Sequence, residues 1–357
     1  MKAKILLQDG TILEGNSFGA EKTVFGEIVF NTGMTGYQEI LTDPSYGGQI
    51  VVMTYPLIGN YGANNADIES KGIHVKGFVV KEFSEEASNW KSTKNISDYL
   101  KENNIIGVSD VDTRMLTKKI RTKGTMNCVV TTGEITTELE AKLKAYEFPK
   151  DIVSQVSEKK IEIIKGGGVK VGVIDLGVKT GIIRNLVTQG CEVHIFPWNI
   201  SSEILLNAKL DAVLFSNGPG DPKDVREVIK TAQDLIGKIN IYGICLGVQI
   251  LALALGGDTY KLKFGHRGSN HPVIDLRTNK VQITAQNHGY AVRADSLPDN
   301  AHVTYINVND STVEGFICPE LKIEAVQFHP EAGPGPKDCE YIFKDWVNKL
   351  RKEVQYA

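Results

Sequence analysis

The chain carries no strong charge of either sign: 40 Lys and Arg stand against 43 Asp and Glu, a formal net charge of -3. That balance gives no electrostatic basis for holding nucleic acid or for lying on an anionic membrane surface. Long apolar runs are missing as well; none approaches the length of a membrane span. The first apolar segment, around Ile5-Leu6-Leu7, is too short for the core of a signal peptide. The five cysteines, at 128, 191, 245, 318 and 339, form no Cys-x-x-Cys pair and no metal-ligand spacing. Such a scattered, odd set fits a reducing compartment, so the cytoplasm is the expected address, and it suits catalysis better than a disulfide framework. Internal repeats and low-complexity segments are absent. There is also no Gly-x-x-x-x-Gly-Lys-Ser/Thr to cradle a nucleotide phosphate. What is present, 41% hydrophobic and 23% charged residues over 357 positions, describes a globular chain long enough for two domains.

Two patterns divide the chain. Residues 1–150 are rich in strands and turns, with strands expected over 4–7, 12–14, 27–30, 49–54 and 77–83. Asp9-Gly10 between the first two marks a hairpin. Apolar residues recurring every three or four positions predict helices over 97–103, 112–123 and 136–145, the second started by Asp112 as cap. This half is expected to be a mixed α/β domain. Residues 151–168, polar and ending in Gly166-Gly167-Gly168, read as a linker; a phosphate loop there would need a helix to open after the glycines. From 169 to 357 strands alternate with helices: strands at 169–174, 192–196, 212–215 and 239–244, helices at 180–188, 201–208, 222–236 and 246–255. Continuous apolar strands separated by helices predict an open parallel sheet with flanking helices. Beyond Gly256, antiparallel strands are expected at 281–285, 302–308 and 323–328, followed by a helix over 337–352.

The most informative stretch is Gly243-Ile244-Cys245-Leu246-Gly247. It lies between a strand-like and a helix-like run, so Cys245 sits at a sharp turn where glycine neighbours avoid a clash. A thiol at a helix N-terminus faces N–H groups that favour the thiolate. Downstream, His329-Pro330-Glu331 ends an apolar strand and offers an imidazole with a carboxylate two positions on, the natural partner for such a thiol. Taken singly, Cys245 could be a buried structural cysteine and His329 an unrelated loop residue; the joint pattern points to a Cys-His-Glu site. His288 competes for the role of base, but has no carboxylate beside it. The N–H of Leu246 is where an oxyanion donor belongs, and Gln249, four residues past the thiol, shares its helix face. Ser216-Asn217-Gly218-Pro219-Gly220-Asp221-Pro222 is either an ordinary tight turn or a rigid loop whose N–H groups meet a substrate oxygen. Asn287 and Gly289, in Gln286-Asn287-His288-Gly289-Tyr290, suit recognition of an amino acid's ammonium and carboxylate.

Taken in order, the Asn-Gly-Pro-Gly loop, the Gly-Ile-Cys-Leu-Gly elbow and the His-Pro-Glu ending resemble a class I (triad) glutamine amidotransferase domain. In the first half, Asn31-Thr32-Gly33-Met34-Thr35-Gly36-Tyr37-Gln38-Glu39 with Thr42-Asp43-Pro44-Ser45-Tyr46 resembles the small (glutaminase) subunit of carbamoyl phosphate synthase. So do Gly59-Asn60-Tyr61-Gly62, Asp110-Val111-Asp112-Thr113-Arg114 and Phe264-Gly265-His266-Arg267-Gly268-Ser269-Asn270-His271-Pro272. The resemblance covers nearly the whole chain. It implies Cys245 as nucleophile, His329 as base and Glu331 as its orienting carboxylate, with no metal. It further implies that glutamine is held by Ser45, Gly218, Gly220, Leu246, Gln249, Asn287, Gly289 and Tyr290, in a pocket against the domain interface. The implied partner is a large synthase subunit that binds ATP, its metal and bicarbonate, so no cofactor is expected in this chain. One departure is Val248, where members usually carry histidine; other amidotransferases have methionine there. Two other classes share parts of the pattern. A cysteine peptidase or γ-glutamyl hydrolase would share the elbow without needing the first-half motifs. A non-catalytic regulatory or binding subunit would find its support in Val248.

Overall fold

The computed structural model describes residues 1–356, and the chain divides into two compact units, Met1–Pro149 and Lys150–Ala357. The first unit is built on β1 (Lys2–Leu7), β2 (Ile12–Gly19), β3 (Thr23–Asn31), β4 (Gln49–Met53), β5 (Leu57–Ile58), β6 (Gly77–Val79), β7 (Glu82–Phe83), β8 (Ile106–Ser109) and β9 (Met126–Thr131). Asp9-Gly10 turns β1 back on β2, with Gly10 at a φ of 86°. Seven of these strands close into a barrel in the order β1-β2-β8-β6-β4-β3-β9, which removes the exposed edges an open sheet would present, while β5 and β7 form a separate pair. Its β3-β4, β4-β6 and β6-β8 pairs are parallel, and parallel neighbours demand crossover connections. The β3-to-β4 crossover carries α1 (Tyr37–Thr42) and the short turn Pro44–Tyr46, and the β6-to-β8 crossover carries α2 (Ile96–Glu102). Tyr37, Ile40, Leu41, Ile96 and Leu100 from these segments pack with Val51 and Phe78 of the barrel. The helix α3 (Thr113–Lys123) starts where Asp112 accepts the Met115 N–H at 2.8 Å, and α4 (Thr137–Ala145) follows β9.

The second unit begins earlier than the glycines suggest. Residues 151–168, expected as a linker, instead form α5 (Ile152–Val156) and β10 (Glu162–Ile164), an edge strand running antiparallel to β12 (Glu192–Pro197). The apolar pair Ile152-Val153 is buried. An edge strand with one neighbour needs little apolar alternation, so β10 left no clear trace. The outer two glycines serve close approach: a Cβ on Gly166 would lie 2.3 Å from the Cys191 carbonyl oxygen, and one on Gly168 would lie 2.7 Å from the Gly190 carbonyl oxygen.

The sheet runs β10-β12-β11-β13-β14-β19-β18-β17-β15-β16, using β11 (Lys170–Asp175), β13 (Ala212–Phe215), β14 (Asn240–Ile244), β15 (Thr259–Asp275), β16 (Lys280–Val292), β17 (His302–Asn307), β18 (Val313–Cys318) and β19 (Ile323–Val326). It is parallel only from β12 through β19; the rest is antiparallel, so the open sheet is mixed. The segment 323–328, expected as antiparallel, is antiparallel to β18 but lies parallel beside β14. Alternation of apolar residues carries no information on strand direction. The helices α6 (Thr180–Thr188), α7 (Ser202–Asn207), α8 (Arg226–Leu235), α9 (Leu246–Ala254) and α10 (Tyr341–Tyr356) accompany the sheet. The helix expected over 222–236 breaks at Val225, between a short 3-10 turn and α8. Two apolar cores follow. One holds Phe215, Leu246, Val248, Ile250 and Phe316; the other holds Val173, Leu214, Ile244, Phe328 and Trp346.

Candidate active site

Parallel strands of an open α/β sheet collect their loops at the carboxyl ends, where ligands bind. Here β14 and β19 are neighbours, paired through Ile244 and Val326. Cys245 follows the first directly, and its N–H donates to the Val326 carbonyl at 2.9 Å. His329 comes three residues after the second. Its backbone is fixed by an N–H bond of 2.9 Å to Ala285. Chain order thus separates the candidate nucleophile and base by more than eighty residues, while the sheet sets them side by side.

Cys245 occupies φ 54°, ψ -103°, a conformation that L-residues avoid, and it is the N-terminal cap of α9. Such strain persists only where the surroundings enforce it. The flanking glycines show how. A Cβ on Gly247 would lie 2.1 Å from the Phe215 oxygen, and one on Gly243 would lie 2.7 Å from Leu251 Cδ1. The helix therefore butts against the end of β13 and β14, and the turn has no slack. The thiol Sγ stands 3.5 Å from the Asn287 carbonyl oxygen.

Behind the thiol, His329 Nδ1 is 2.6 Å from Glu331 Oε1, and both side chains are buried. Burial alone would lower the His329 pKa. The Glu331 charge, aided by Cys245, outweighs it and raises that pKa to about 10. Burial works against the Glu331 carboxylate too, but Lys179 and His329 bring its pKa down to about 2. A neutral-pH pair of imidazolium and carboxylate follows. Nε2 of His329 has no hydrogen-bond partner, so the ring keeps one nitrogen available for chemistry.

Lys179 was not singled out in the sequence. Its ammonium is 2% exposed, lies 3.0 Å from Glu331 Oε1 and also donates to the Ala332 carbonyl. Its backbone N–H donates to Asn217 Oδ1 at 3.1 Å, tying the Asn-Gly-Pro-Gly loop to the start of α6. The available signal was position: Lys179 follows the carboxyl end of β11, beside the strands that carry the other site residues.

The remaining predicted residues divide by unit. Gly218 lies flat against the residue that follows β11, since a Cβ there would meet the Leu176 oxygen at 2.2 Å and Leu246 Cδ2 at 2.9 Å. Gly220 has a φ of 93°. Gln249 Nε2 donates to the Tyr290 carbonyl at 2.8 Å and to Gln327 Oε1 at 3.0 Å, which links α9 to the 287–290 segment of β16. Gln327, fully buried, is a second residue of the candidate site that sequence reasoning missed. Asn287, Gly289 and Tyr290 are all on β16. The competing histidine, His288, has Nδ1 2.7 Å from the Tyr290 carbonyl and Nε2 2.6 Å from the Gln286 amide. Burial, with the neighbouring His266 charge, pushes its pKa well down. Both its nitrogens are engaged without a carboxylate, whereas His329 holds Glu331. Val248 is fully buried in the core. Ser45 belongs to the first unit, in the Pro44–Tyr46 turn, where its N–H donates to Asp43 Oδ1 at 2.9 Å.

Among the described residues, one group of side chains has metal-ligand chemistry. His266, His288 and Glu314 bring ligand atoms within 4.8 Å of one another. The two imidazoles already engage Asp310, Glu314, Gln286 and the Tyr290 carbonyl, so a cation would have to displace those bonds.

A mixed α/β sheet with a strained cysteine elbow and a His-Glu pair just past the adjacent strand defines a class I glutamine amidotransferase unit, and residues 172–349 match that family, described as glutamine amidotransferase class-I. Residues 5–130 match carbamoyl-phosphate synthase small chain, CPSase domain. Whole-chain relatives agree. The carbamoyl phosphate synthase small chain of Clostridium acetobutylicum is 51% identical over 350 residues, covering 98% of this chain and 100% of the relative. That of Methanocaldococcus jannaschii is 52% identical over 97% of this chain and 98% of its own length. A Bacillus subtilis relative, 48% identical over 98% of this chain and 96% of its own length, is named carbamoyl phosphate synthase pyrimidine-specific small chain. The chain belongs to the carbamoyl phosphate synthase small chain family.

Proposed function

We propose that this chain is the glutamine-hydrolysing subunit of a carbamoyl phosphate synthase, and that Cys245, His329 and Glu331 carry the hydrolysis. The carrying observation is the strained Cys245 at the head of α9 with the His329–Glu331 pair just past the end of the neighbouring strand. The attacking group is the Cys245 thiolate, whose proton is held on the His329 imidazolium. The thiolate attacks the side-chain amide carbon of glutamine, and the carbonyl becomes an oxyanion. The N–H groups of Leu246 and Gly218 are the donors proposed for it; one such donor typically contributes on the order of 10²–10³ in turnover. His329 then gives its proton to the departing nitrogen, which leaves as ammonia. The glutamyl thioester that remains is cleaved by water, deprotonated by His329, to release glutamate and restore the thiolate beside the protonated imidazole. Glu331 takes no proton in this scheme. It keeps the imidazole charged and oriented, and Lys179 in turn keeps Glu331 ionised.

Glutamine would be held by Ser45, Gly218, Gly220, Leu246, Gln249, Asn287, Gly289 and Tyr290. Ammonia released to bulk water would be protonated and lost as a nucleophile, so a partner that consumes it is needed. We assign that part to a large synthase subunit, which binds ATP with its metal and combines ammonia with bicarbonate; this chain needs no cofactor of its own. No helix among the described residues is long and apolar enough to cross a membrane, and the five cysteines are free. A reducing cytoplasm suits both facts. The test is reconstitution. Adding the large subunit, ATP and bicarbonate should raise glutamine hydrolysis and match it to carbamoyl phosphate formation. A glutaminase already fully active alone and indifferent to the partner would count against the reading.

A further inference from the structure

A second cluster of charged side chains lies beside the proposed glutamine site. In the β15-β16 register His266 stands opposite His288, and their rings meet edge to face with centroids 4.9 Å apart. His266 is buried, with Nε2 2.8 Å from Asp310 Oδ2 and Nδ1 3.4 Å from Glu314 Oε1. Asn307 Nδ2 holds that same Glu314 oxygen at 2.9 Å, and Glu314 Oε2 is buried without a hydrogen-bond partner. One imidazole between two carboxylates is best satisfied with both nitrogens protonated. Burial opposes that charge, but Asp310 and Glu314 raise the His266 pKa to about 9.

The charge has a consequence for its neighbour. His288 is kept neutral by burial and by repulsion from His266, with Arg267 and His271 adding smaller effects. A neutral imidazole has a single N–H, and the Tyr290 carbonyl, 2.7 Å from Nδ1, can only accept. The proton therefore sits on Nδ1. Nε2, 2.6 Å from Gln286 Oε1, is left as the acceptor, which asks that amide to turn over, its nitrogen to His288 and its oxygen to the Thr284 hydroxyl that the nitrogen now meets at 3.1 Å. The Tyr290 carbonyl held in this way is the one that receives the Gln249 amide, and the Asn287 carbonyl one residue before His288 faces the Cys245 thiol.

We propose that His266, clamped between Asp310 and Glu314, is a positioning residue that fixes the 287–290 segment against Cys245 and Gln249 and so sets glutamine affinity. It touches no reacting atom. Its effect runs through His288 and the β16 backbone, and the inference rests on the glutamine reading given above.

The test uses the full chain with His266→Asn, Asp310→Asn and Asp310→Glu. Glutamine KM should rise about tenfold in the first two, the size of one charge-assisted hydrogen bond, while kcat changes little. Asp310→Glu keeps the charge on a partly exposed side chain and should retain near wild-type KM. A purely structural role would lower kcat with the folded fraction and leave KM alone; that outcome, or an unchanged KM in both neutral variants, overturns the proposal. Hydrogen exchange of residues 286–291 supplies a readout independent of turnover. Protection there should fall in His266→Asn while that of β13 stays as in wild type, and equal protection overturns the proposal. A wild type that does not hydrolyse glutamine at all would instead refute the glutamine reading, leaving the exchange result to decide the positioning role.

Discussion

Lys179→Met removes the ammonium that lies 3.0 Å from Glu331 Oε1 and leaves a carboxylate whose side chain is fully buried. Water cannot reach that carboxylate to replace the lost partner, and His329 is then its main compensating charge. Breaking one side of a buried pair typically costs about 3–5 kcal/mol. Glu331→Gln should cost a comparable amount, since it strands the buried ammonium on the Ala332 carbonyl. The double variant Lys179→Met/Glu331→Gln removes both charges, so its deficit should fall short of the sum of the singles by about 2 kcal/mol or more. The sign with pH follows from Glu331, whose carboxyl is lowered from its ordinary 4.5 to about 2. Its contribution is complete above 4.5 and fades as pH falls towards 2, so the Lys179→Met deficit is full at pH 7 and shrinks in acid. Urea unfolding can be followed by tryptophan fluorescence in a Trp90→Phe background, which leaves Trp198 and Trp346 of the second unit as reporters. Singles that cost under about 1 kcal/mol at pH 7, or a double variant that is simply additive, would refute the buried-network argument.

Three further outcomes follow from the same geometry. Brief treatment with a glutamine-mimicking electrophile should label Cys245 first, because burial pushes the Cys191 thiol to about 11 and that of Cys339 to about 12, with Cys128 and Cys318 also raised; peptide mapping that finds another cysteine labelled first contradicts this. His329→Asn should abolish glutaminase turnover while Glu331→Gln leaves a small remainder, because an orienting carboxylate takes no proton. The steady-state assay would show the assignment wrong if His288→Asn were dead and His329→Asn active. Ser45→Ala should raise glutamine KM with melting temperature little changed, and identical kinetics in that variant would remove Ser45 from the binding set.

Much of the site was legible because chemistry at a strand end leaves a local signature. The elbow glycines, Cys245 and the His329-Pro330-Glu331 ending can be read within a few residues, and their crowding is what the structure measures at Gly243 and Gly247. Lys179 was not legible, because a lysine after a strand looks like any solvated charge until a fold buries it beside Glu331. His266 was quoted within a motif, but its two carboxylates lie more than forty residues downstream, and only the strand order brings them together. The fold shows the same division. The hairpin at Asp9-Gly10 and the cap at Asp112 are local and were readable. Barrel closure in the first unit and the direction of β19 depend on partners far away in sequence, and β10 pairs along one side only.

The most direct test of the central claim compares wild type with Cys245→Ser in one assay. Each protein is incubated with glutamine, glutamate and ammonia are measured, and an acid-quenched sample is digested to look for a glutamyl adduct on the peptide holding Cys245. The account predicts slow hydrolysis by the wild type alone, with the adduct on that peptide, and neither product nor adduct for Cys245→Ser, whose hydroxyl is a far weaker nucleophile in the same elbow. Glutamine hydrolysis that survives in Cys245→Ser at the wild-type rate would contradict it.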